Sequence, residues 1–272
     1  MLELNNFYIG EAVNFMKENI PDNFVDLTVT SPPYDNLRTY KGFIFDYQSM
    51  FKELYRVTKD GGVVVWVVGD ATIKGSETGT SFKHALYAKE IGFNLHDTMV
   101  YQKETPTWNI TSKRYKQHIE YMFILSKGKV ATFNPIEDIK VKNMNPRNCK
   151  SNRNDNPHYE LYTPKKEFTC RGNIWRYAVG SSSTKDKIAF EHPAIFPEQL
   201  AQDHIISWSN EGDIILDPMC GSGTTCKMAY LNKRNFIGID ISEEYINDIC
   251  IPRLNSYGWQ QKENINIGGK IK

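Results

Sequence analysis

Apolar runs of strand length alternate along this chain with amphipathic segments of helical length. The strand candidates are residues 24–30, 62–68, 94–102, 120–126, 213–217 and 235–240, and the helix candidates are 46–58, 80–91, 197–209, 223–232 and 242–254. Runs that are apolar throughout suit strands buried on both faces, as in parallel sheets covered by helices. The pattern predicts an α/β fold, a doubly wound, mostly parallel sheet with helices on both faces. We expect Pro252 to end the last helix early.

One interval, residues 127–187, breaks this alternation. It is rich in Asn, Lys, Arg, Pro and Ser, and it is too long for an idle connection. From Lys140 to Arg176, nine Lys or Arg residues stand against three acids, with aromatic residues between them. Such a segment suits contact with the phosphates and bases of nucleic acid, and a solvated loop is the alternative interpretation. The 272 residues are expected to form a single domain, 1–272, with this interval inserted.

The overall composition gives no sign of a membrane span, a metal site or a disulfide framework. Lys and Arg number 33 against 32 Asp and Glu, so any basic surface must be local. The five cysteines show no Cys-x-x-Cys spacing, which argues against structural zinc and for a reducing compartment. Because there is neither a signal-peptide pattern nor a run of about eighteen apolar residues, we expect a cytoplasmic protein.

The first candidate binding motif is DIILDPMCGSGTTCKMAY, residues 213–230. A strand that ends at Asp217 leads through a Gly-Ser-Gly turn (221–223) into a helix. Glycines let a ligand approach the backbone closely, and the helix N-terminus offers free amide groups. About twenty residues later, Asp240 ends another strand, where an acidic side chain can bind ribose hydroxyls. Together these features indicate an adenosine-containing cofactor, and a helix-capping aspartate is the alternative interpretation of Asp240 alone.

The second motif is TSPPY, residues 30–34, at the carboxyl end of a buried strand. Pro32 and Pro33 have no amide hydrogen and fix φ, so the loop is stiff and its carbonyl groups can accept hydrogen bonds. Ser31 adds a hydroxyl acceptor, and Tyr34 adds a flat aromatic face. Acceptors beside such a face suit a flipped-out base whose exocyclic amino group donates to them. A plain turn is the alternative interpretation.

The order of these motifs resembles that of S-adenosylmethionine-dependent DNA amino-methyltransferases, enzymes of restriction-modification systems, in the subgroup whose base motif precedes the cofactor motif. The segments that match are TSPPY (30–34), NIW (173–175), HPAIFPEQL (192–200), LDPMCGSGTT (216–225) and GIDISEEY (238–245). They cover nearly the whole chain outside the basic interval. The resemblance implies a Rossmann-like methyltransferase fold with an inserted target-recognition region at 127–187.

The resemblance also assigns roles to the residues at matching positions. The target amino group would be bound by Ser31, Pro32 and the carbonyl of Pro33, with Tyr34 stacked on the base. The cofactor would be lined by Asp217, Met219, Gly221, Ser222, Gly223 and Thr224, with Asp240 on its ribose and with His192, Pro193, Ala194 and Phe196 over its methionine end. Apart from the resemblance, the candidates for DNA contacts are Lys165, Lys166 and Arg171 of the basic interval, and Arg38 just past TSPPY, which could instead only brace that loop. This chain departs from the family pattern at Gly10-Glu11 and at Met219-Cys220.

The implied reaction is direct transfer of a methyl group from the sulfonium of S-adenosylmethionine to an exocyclic nitrogen of a base. Hydrogen bonds from both amino protons would favour a tetrahedral nitrogen and free its lone pair. A serine at the first motif position favours N4 of cytosine, and N6 of adenine by the same mechanism is the alternative. The expected partner is double-stranded DNA with a specific short site, and a homodimer is common in the family.

Other functions also fit parts of the sequence. An RNA or protein methyltransferase, or an inactive DNA-binding module, would keep the same fold. A nicotinamide oxidoreductase would explain the glycine turn but would leave TSPPY without a function. A carbon-5 cytosine methyltransferase needs a nucleophilic cysteine, normally after a proline, whereas Cys220 follows Met219 inside the glycine turn.

Overall fold

A computed structural model describes residues 2–33, 45–107, 113–142, 147–151, 158–162 and 166–261. The chain divides into two compact units: the larger is Met1–Asn134 with Asn173–Lys272, and the smaller is Pro135–Gly172. In the described residues, no helix is long and apolar enough to cross a membrane.

Strands and helices alternate along most of the larger unit. In chain order the strands are β1 (Asn6–Ile9), β2 (Val25–Thr30), β3 (Thr58–Val68), β4 (Thr72–Ile73), β5 (Ser76–Glu77), β6 (Asn94–Thr107), β7 (Gln117–Ser126), β8 (Glu137–Lys140), β9 (Arg147–Ser151), β10 (His158–Tyr162), β11 (Phe168–Cys170), β12 (Ile174–Tyr177), β13 (Ile214–Asp217) and β14 (Asn235–Asp240). The helices are α1 (Ala12–Asn19), α2 (Tyr47–Val57), α3 (Thr80–Glu90), α4 (Glu198–Trp208), α5 (Thr224–Leu231) and α6 (Ile251–Asn255), with 3-10 turns at Gly180–Ser182 and Lys187–Glu191 and a π-helix at Tyr245–Cys250.

The larger unit is built on one sheet. Among the described strands, the order of this eight-stranded sheet is β1-β14-β13-β2-β3-β7-β6-β12. Neighbouring strands are parallel throughout, except that β7 runs antiparallel to both β3 and β6. The predicted mostly parallel sheet is therefore confirmed. Because β14, β13 and β2 are adjacent and parallel, the residues that follow them meet at one edge of the sheet.

Helices pack on the sheet because its central strands are apolar on both faces. Trp66 of β3 lies in one core cluster with Phe51 of α2 and Ala88 of α3. Successive side chains of a strand point to opposite faces, so the equally buried Val65 faces the other side. There α4 contacts β2, and α5 contacts β13 and β14. Full burial of each large apolar side chain stabilises the fold by about 1.5–3 kcal/mol.

The structure corrects several predicted elements. The expectation that Pro252 ends the last helix is wrong, because α6 continues to Asn255 with Pro252 in its first turn. The π-helix Tyr245–Cys250 comes directly before α6. Pro252, which has no amide hydrogen, therefore lies where the hydrogen-bonding pattern changes from π-helical to α-helical. Strand β6 runs five residues beyond its predicted end, and β1, α1 and β12 were not predicted at all.

The smaller unit consists of short antiparallel strand pairs. Strand β8 pairs with β11, and β9 pairs with β10. These strands all lie within the interval 127–187, but the unit itself is narrower, at Pro135–Gly172. The assignment of the interval as a target-recognition region stays a prediction.

Candidate active site

A cleft of about 1190 Å³ opens in the larger unit at the carboxyl edge of the sheet. The sequence-predicted residues that line it are Ser31, Pro33, His192, Ala194, Phe196, Asp217, Met219, Gly221, Ser222, Thr224 and Asp240. Among the described residues, the predicted Pro32, Pro193 and Gly223 do not line the cleft. Tyr34, Arg38 and Lys165 lie outside the described residues. The fold thus brings residues of four separated motifs, 30–34, 192–200, 216–225 and 238–245, to one cleft.

The glycine turn requires its two glycines for different reasons. Gly221 has φ +50°, and a Cβ atom there would lie 2.8 Å from Nε2 of His192. Gly223 has φ +73°, and a Cβ atom there would lie 3.1 Å from Sγ of Cys250. Both conformations belong to the left-handed region that favours glycine. The absence of a side chain at Gly221 therefore leaves space in the cleft beside the backbone. Its absence at Gly223 permits close packing of the turn against Cys250.

Asp240 is tied to the glycine turn by its carboxylate. Its Oδ2 accepts a hydrogen bond from the amide of Gly221 at 2.8 Å, and its Oδ1 accepts one from the amide of Ser242 at 2.9 Å. Burial raises the pKa of Asp240, although these backbone amides oppose the shift. The side chain lines the cleft at the end of β14. Its predicted contact with ribose hydroxyls stays a prediction.

Asp217 joins the glycine motif to the TSPPY motif. Its Oδ1 accepts a hydrogen bond from the hydroxyl of Thr30 at 2.8 Å and one from the amide of Met219 at 3.3 Å. A second link lies nearby, where Thr225 donates to the carbonyl of Val29 at 3.1 Å. Burial raises the pKa of Asp217 to about 7. The strands β2 and β13 are therefore connected by side chains at the end where they meet the cleft.

The described part of the TSPPY motif presents a polar group at the cleft. Ser31 and Pro33 are partly exposed and line it, and the intervening Pro32 is buried. This alternation follows from the extended backbone after β2, because successive side chains point in opposite directions. Pro32 thus anchors the segment against the protein while the hydroxyl of Ser31 lies at the surface of the cleft.

The segment that contains His192 forms another wall. Nδ1 of His192 lies 2.8 Å from the carbonyl oxygen of Ala194 and 3.1 Å from its amide nitrogen, so the ring closes a local turn. The same ring packs edge-on against Tyr245, with centroids 4.5 Å apart. Tyr245 also lines the cleft but was not predicted as a site residue. Its signals in the sequence were its position five residues after Asp240 and its place at the end of the matching segment GIDISEEY (238–245).

An ion pair on the wall of the cleft was also missed by the sequence analysis. Nζ of Lys103 lies 2.6 Å from Oε1 of Glu120, and the side chains are only 19% and 15% exposed. Lys103 belongs to β6 and Glu120 to the antiparallel β7, so only strand pairing brings them together. Glu11 is another charged lining residue, and its carboxylate caps α1 by accepting hydrogen bonds from the amides of Val13 and Asn14.

Two of the predicted DNA-contacting residues lie in the smaller unit, and both form ion pairs there. Nζ of Lys166 lies 2.6 Å from Glu137, and Nη2 of Arg171 lies 2.5 Å from Asp138. Both acids precede Lys140, where the counted basic window begins. The smaller unit is therefore less basic than that window indicated. Contact of Lys166 and Arg171 with DNA stays a prediction.

Cys220 lines the cleft but is poorly suited to nucleophilic attack. Its side chain is buried, and burial raises the pKa of its thiol well above the usual range. The thiolate is the nucleophilic form of cysteine, so a raised pKa lowers its reactivity. The site thus gives no support to a covalent cysteine mechanism.

Comparison with known proteins reveals similarity over most of the chain. A family model described as DNA methylase matches residues 25–250. The orphan methyltransferase M.BamHII of Bacillus amyloliquefaciens is 56% identical over 248 residues, which cover 89% of this chain and 93% of that protein.

Solved structures share the fold. The M1.HpyAVI–SAM complex has a TM-score of 0.60 at 23% identity and covers 92% of this chain and 99% of its own. The PvuII DNA methyltransferase, described as cytosine-N4-specific, has a TM-score of 0.65 at 20% identity and covers 92% of this chain and 89% of its own. Because the family model spans most of the sequence and M.BamHII is identical at more than half of the aligned positions, this chain belongs to the N6/N4 DNA methylase family, whose methyl donor is S-adenosylmethionine.

Proposed function

We propose that this protein methylates the exocyclic amino group of a flipped-out DNA base, with N4 of cytosine as the favoured target. The observation that carries the proposal is the hydrogen bond between Thr30 and Asp217, which holds the TSPPY motif beside the glycine turn. As a result, Ser31 and Gly221 line the same cleft. A base and a methyl donor bound at these two motifs would therefore be neighbours.

The residues around the glycine turn fit S-adenosylmethionine. Gly221 leaves room beside the backbone, and no side chain caps the N-terminus of α5. Asp240 offers a carboxylate for ribose hydroxyls, and the wall formed by His192, Ala194 and Phe196 would cover the methionine end. When bound, S-adenosylmethionine supplies an electrophilic methyl group on its sulfonium.

The residues of the TSPPY motif would prepare the amino group for attack. An exocyclic amino nitrogen is a weak nucleophile because its lone pair is delocalised into the ring. The hydroxyl oxygen of Ser31 and a carbonyl oxygen of the Pro32-Pro33 segment would accept hydrogen bonds from its two N–H groups and favour a tetrahedral nitrogen. The stiff proline backbone holds these acceptors in place before the base arrives, which limits the cost of orientation.

The choice of cytosine depends on Ser31, since serine at this motif position favours N4 of cytosine. The PvuII enzyme, described as cytosine-N4-specific, has the same fold, which agrees with that choice. Adenine N6 is the second candidate, because its amino group can donate to the same acceptors. We further propose that the substrate is double-stranded DNA with a short specific site, read by residues of the 127–187 interval.

Identification of the methylated nucleoside tests the proposal. The purified protein is incubated with methyl-labelled S-adenosylmethionine and unmethylated genomic DNA, in parallel with RNA and with a peptide mixture. The DNA is then digested to nucleosides, which are separated by chromatography and identified by mass spectrometry. Label in N4-methylcytosine would support the proposal in full, and label in N6-methyladenine would change only the base. Transfer to RNA or peptide in preference to DNA would overturn it.

A further inference from the structure

Two cations and two carboxylates form a buried network next to the glycine turn. Arg253 and Lys227 are only 1% and 3% exposed at their side chains. Both contact Oδ2 of Asp186 at 2.7 Å, and both contact Oε1 of Glu198, at 2.6 Å for Arg253 and 2.7 Å for Lys227. The hydroxyl of Tyr257 completes the network with a bond to Asp186 at 2.6 Å. Each buried charge is thus matched by hydrogen-bonded opposite charge, as burial requires.

The guanidinium of Arg253 also reaches the glycine turn itself. Its Nη1 donates to the carbonyl of Ser222 at 2.8 Å and to the hydroxyl of Thr224 at 2.9 Å. Both residues line the cleft. A lysine could not make these bonds together with those to the carboxylates, because only the planar fork of arginine offers five donors in fixed directions.

In sequence, Asp186 and Glu198 flank a segment that forms one wall of the cleft. Asp186 directly precedes the 3-10 turn Lys187–Glu191, and Glu198 directly follows Pro197. Between them lies the segment 192–197, of which His192, Ala194, Ile195, Phe196 and Pro197 line the cleft. The network therefore holds both ends of this segment. Its cations come from α5 and α6, the two helices that support the glycine turn.

We propose that Arg253 is a positioning residue that sets the spacing between the glycine turn and the segment 192–197, and thereby the affinity for S-adenosylmethionine. The proposal rests on the proposed function, because it takes the space between these two walls as the place of the cofactor. Arg253 lies beneath the turn and does not line the cleft, so it acts through Ser222, Thr224 and the two carboxylates.

The charge state of the network agrees with this role. Burial would raise the pKa of Asp186, but hydrogen bonds from Arg253, Lys227 and Tyr257 outweigh it and lower the pKa to about 2. Burial would lower the pKa of Lys227, but the hydrogen bonds that its ammonium group donates to Asp186 and Glu198 outweigh burial and raise that pKa. Asp186 and Lys227 therefore stay charged over the whole neutral range, and the spacing that their ion pair imposes does not change with moderate changes of pH.

The decisive variant is Arg253→Lys, which keeps the buried charge but shortens the reach to the turn. Its dissociation constant for S-adenosylmethionine, measured by calorimetry on the full chain without DNA, should rise about tenfold, the loss expected for one or two charge-assisted hydrogen bonds. The Michaelis constant for S-adenosylmethionine should rise by a similar factor, while kcat at saturating cofactor should stay within about twofold of wild type.

A matched control separates this role from a purely structural one. Arg234 carries a partly buried guanidinium, which donates to the carbonyls of Asn232 and Ser209 and to the hydroxyl of Ser209. It precedes β14, at the opposite edge of the sheet from the cleft. Arg234→Lys should lower the melting temperature without changing the dissociation constant. Hydrogen exchange of the amides in 187–197 should accelerate in Arg253→Lys only.

Each outcome decides the proposal. An unchanged dissociation constant in folded Arg253→Lys would overturn it, as would an equal rise in Arg234→Lys. If Arg253→Lys does not fold, Asp186→Asn provides the same comparison, because it releases the start of the segment and leaves the turn contacts in place. Failure of the wild-type protein to bind S-adenosylmethionine would instead contradict the proposed function, and this proposal would fall with it.

Discussion

The hydroxyl of Thr30 donates a 2.8 Å hydrogen bond to Oδ1 of Asp217, across 187 residues of sequence. Thr30 is the last residue of β2 and directly precedes Ser31, whereas Asp217 ends β13 and leads into the glycine turn. Both side chains are buried, so this bond fixes the relative position of the two motifs. The proposed chemistry depends on that position, because the base and the methyl donor must meet between them.

The raised pKa of Asp217 predicts a pH dependence of stability. With a folded-state pKa of about 7 against an ordinary value of 3.8, the folded protein binds more protons than the unfolded chain between these two values. The free energy of unfolding should therefore fall as pH rises through this window, with a contribution from Asp217 of at most about 1.4 kcal/mol per pH unit.

Asp217→Asn should remove this contribution, because the amide does not titrate. Urea denaturation of wild type and variant at several pH values from 4.5 to about 7.5 would measure the difference. Wild type should lose stability relative to Asp217→Asn as pH rises. Parallel pH profiles for the two proteins would show that Asp217 titrates normally and would contradict the expected shift.

Gly221→Ala should abolish binding of S-adenosylmethionine. The added methyl group would lie 2.8 Å from Nε2 of His192, and the residue has φ +50°, where a non-glycine residue costs about 1–2 kcal/mol. Gly128→Ala is the matched control, because Gly128 also has a positive φ, +71°, but has nothing within 4 Å of an added Cβ. Calorimetry should give no binding for Gly221→Ala and wild-type affinity for Gly128→Ala. Equal affinities would refute the placement of the cofactor at the turn.

The Lys103–Glu120 pair should contribute to turnover on DNA. Lys103→Met removes a cation from the wall of the cleft and leaves the mostly buried carboxylate of Glu120 without the ammonium group it faces. We expect kcat/KM for DNA to fall about tenfold or more, with unchanged affinity for S-adenosylmethionine, and the double variant Lys103→Met/Glu120→Gln to recover part of the loss.

The exposed pair between Lys233 and Glu211 serves as the control for this experiment, because its side chains are 75% and 63% exposed. Lys233→Met should leave kcat/KM unaltered, as exposed ion pairs contribute little. A wild-type kcat/KM in Lys103→Met would remove the pair from the functional site.

The two residues of the Lys166–Glu137 pair should affect DNA binding in opposite directions. If Lys166 contacts a phosphate, Lys166→Gln should weaken binding and reduce the slope of log K against log salt by about 0.9. Glu137→Gln should strengthen binding, because it removes the carboxylate that lies 2.6 Å from Nζ of Lys166. Fluorescence anisotropy with labelled duplex DNA at several salt concentrations measures both effects. Identical slopes for all three proteins would restore the interpretation of this segment as a solvated loop.

The parts of the site that sequence predicts best are those carried by local motifs. The glycine turn and TSPPY both occupy the ends of apolar strands, and parallel strands bring such ends to one edge. Ser31, Gly221 and Asp240 therefore lie at one cleft, as their positions in the sequence predicted. The alternation of apolar strand candidates with amphipathic helix candidates likewise predicted helices on both faces of the sheet.

The parts that sequence did not predict depend on pairing between distant segments. Lys103 and Glu120 meet because β7 runs antiparallel to β6, and no local pattern specifies that register. The network around Arg253 joins residues up to 71 positions apart, and each of its four charged residues looks like an ordinary surface charge in isolation. The acidic partners of Lys166 and Arg171 could not be read from the basic window for the same reason, since they precede it in sequence.

We expect the hydroxyl of Ser31 to act on the base and not to contribute to binding of the methyl donor, although both lie in the same cleft. The most direct test is single-turnover methyl transfer to DNA by Ser31→Ala at saturating S-adenosylmethionine, with calorimetry on the same protein. Loss of one positioned hydrogen bond should slow transfer by about 10- to 100-fold with the cofactor affinity unchanged. Wild-type transfer by Ser31→Ala, or a loss of cofactor affinity that explains the whole defect, would contradict the account.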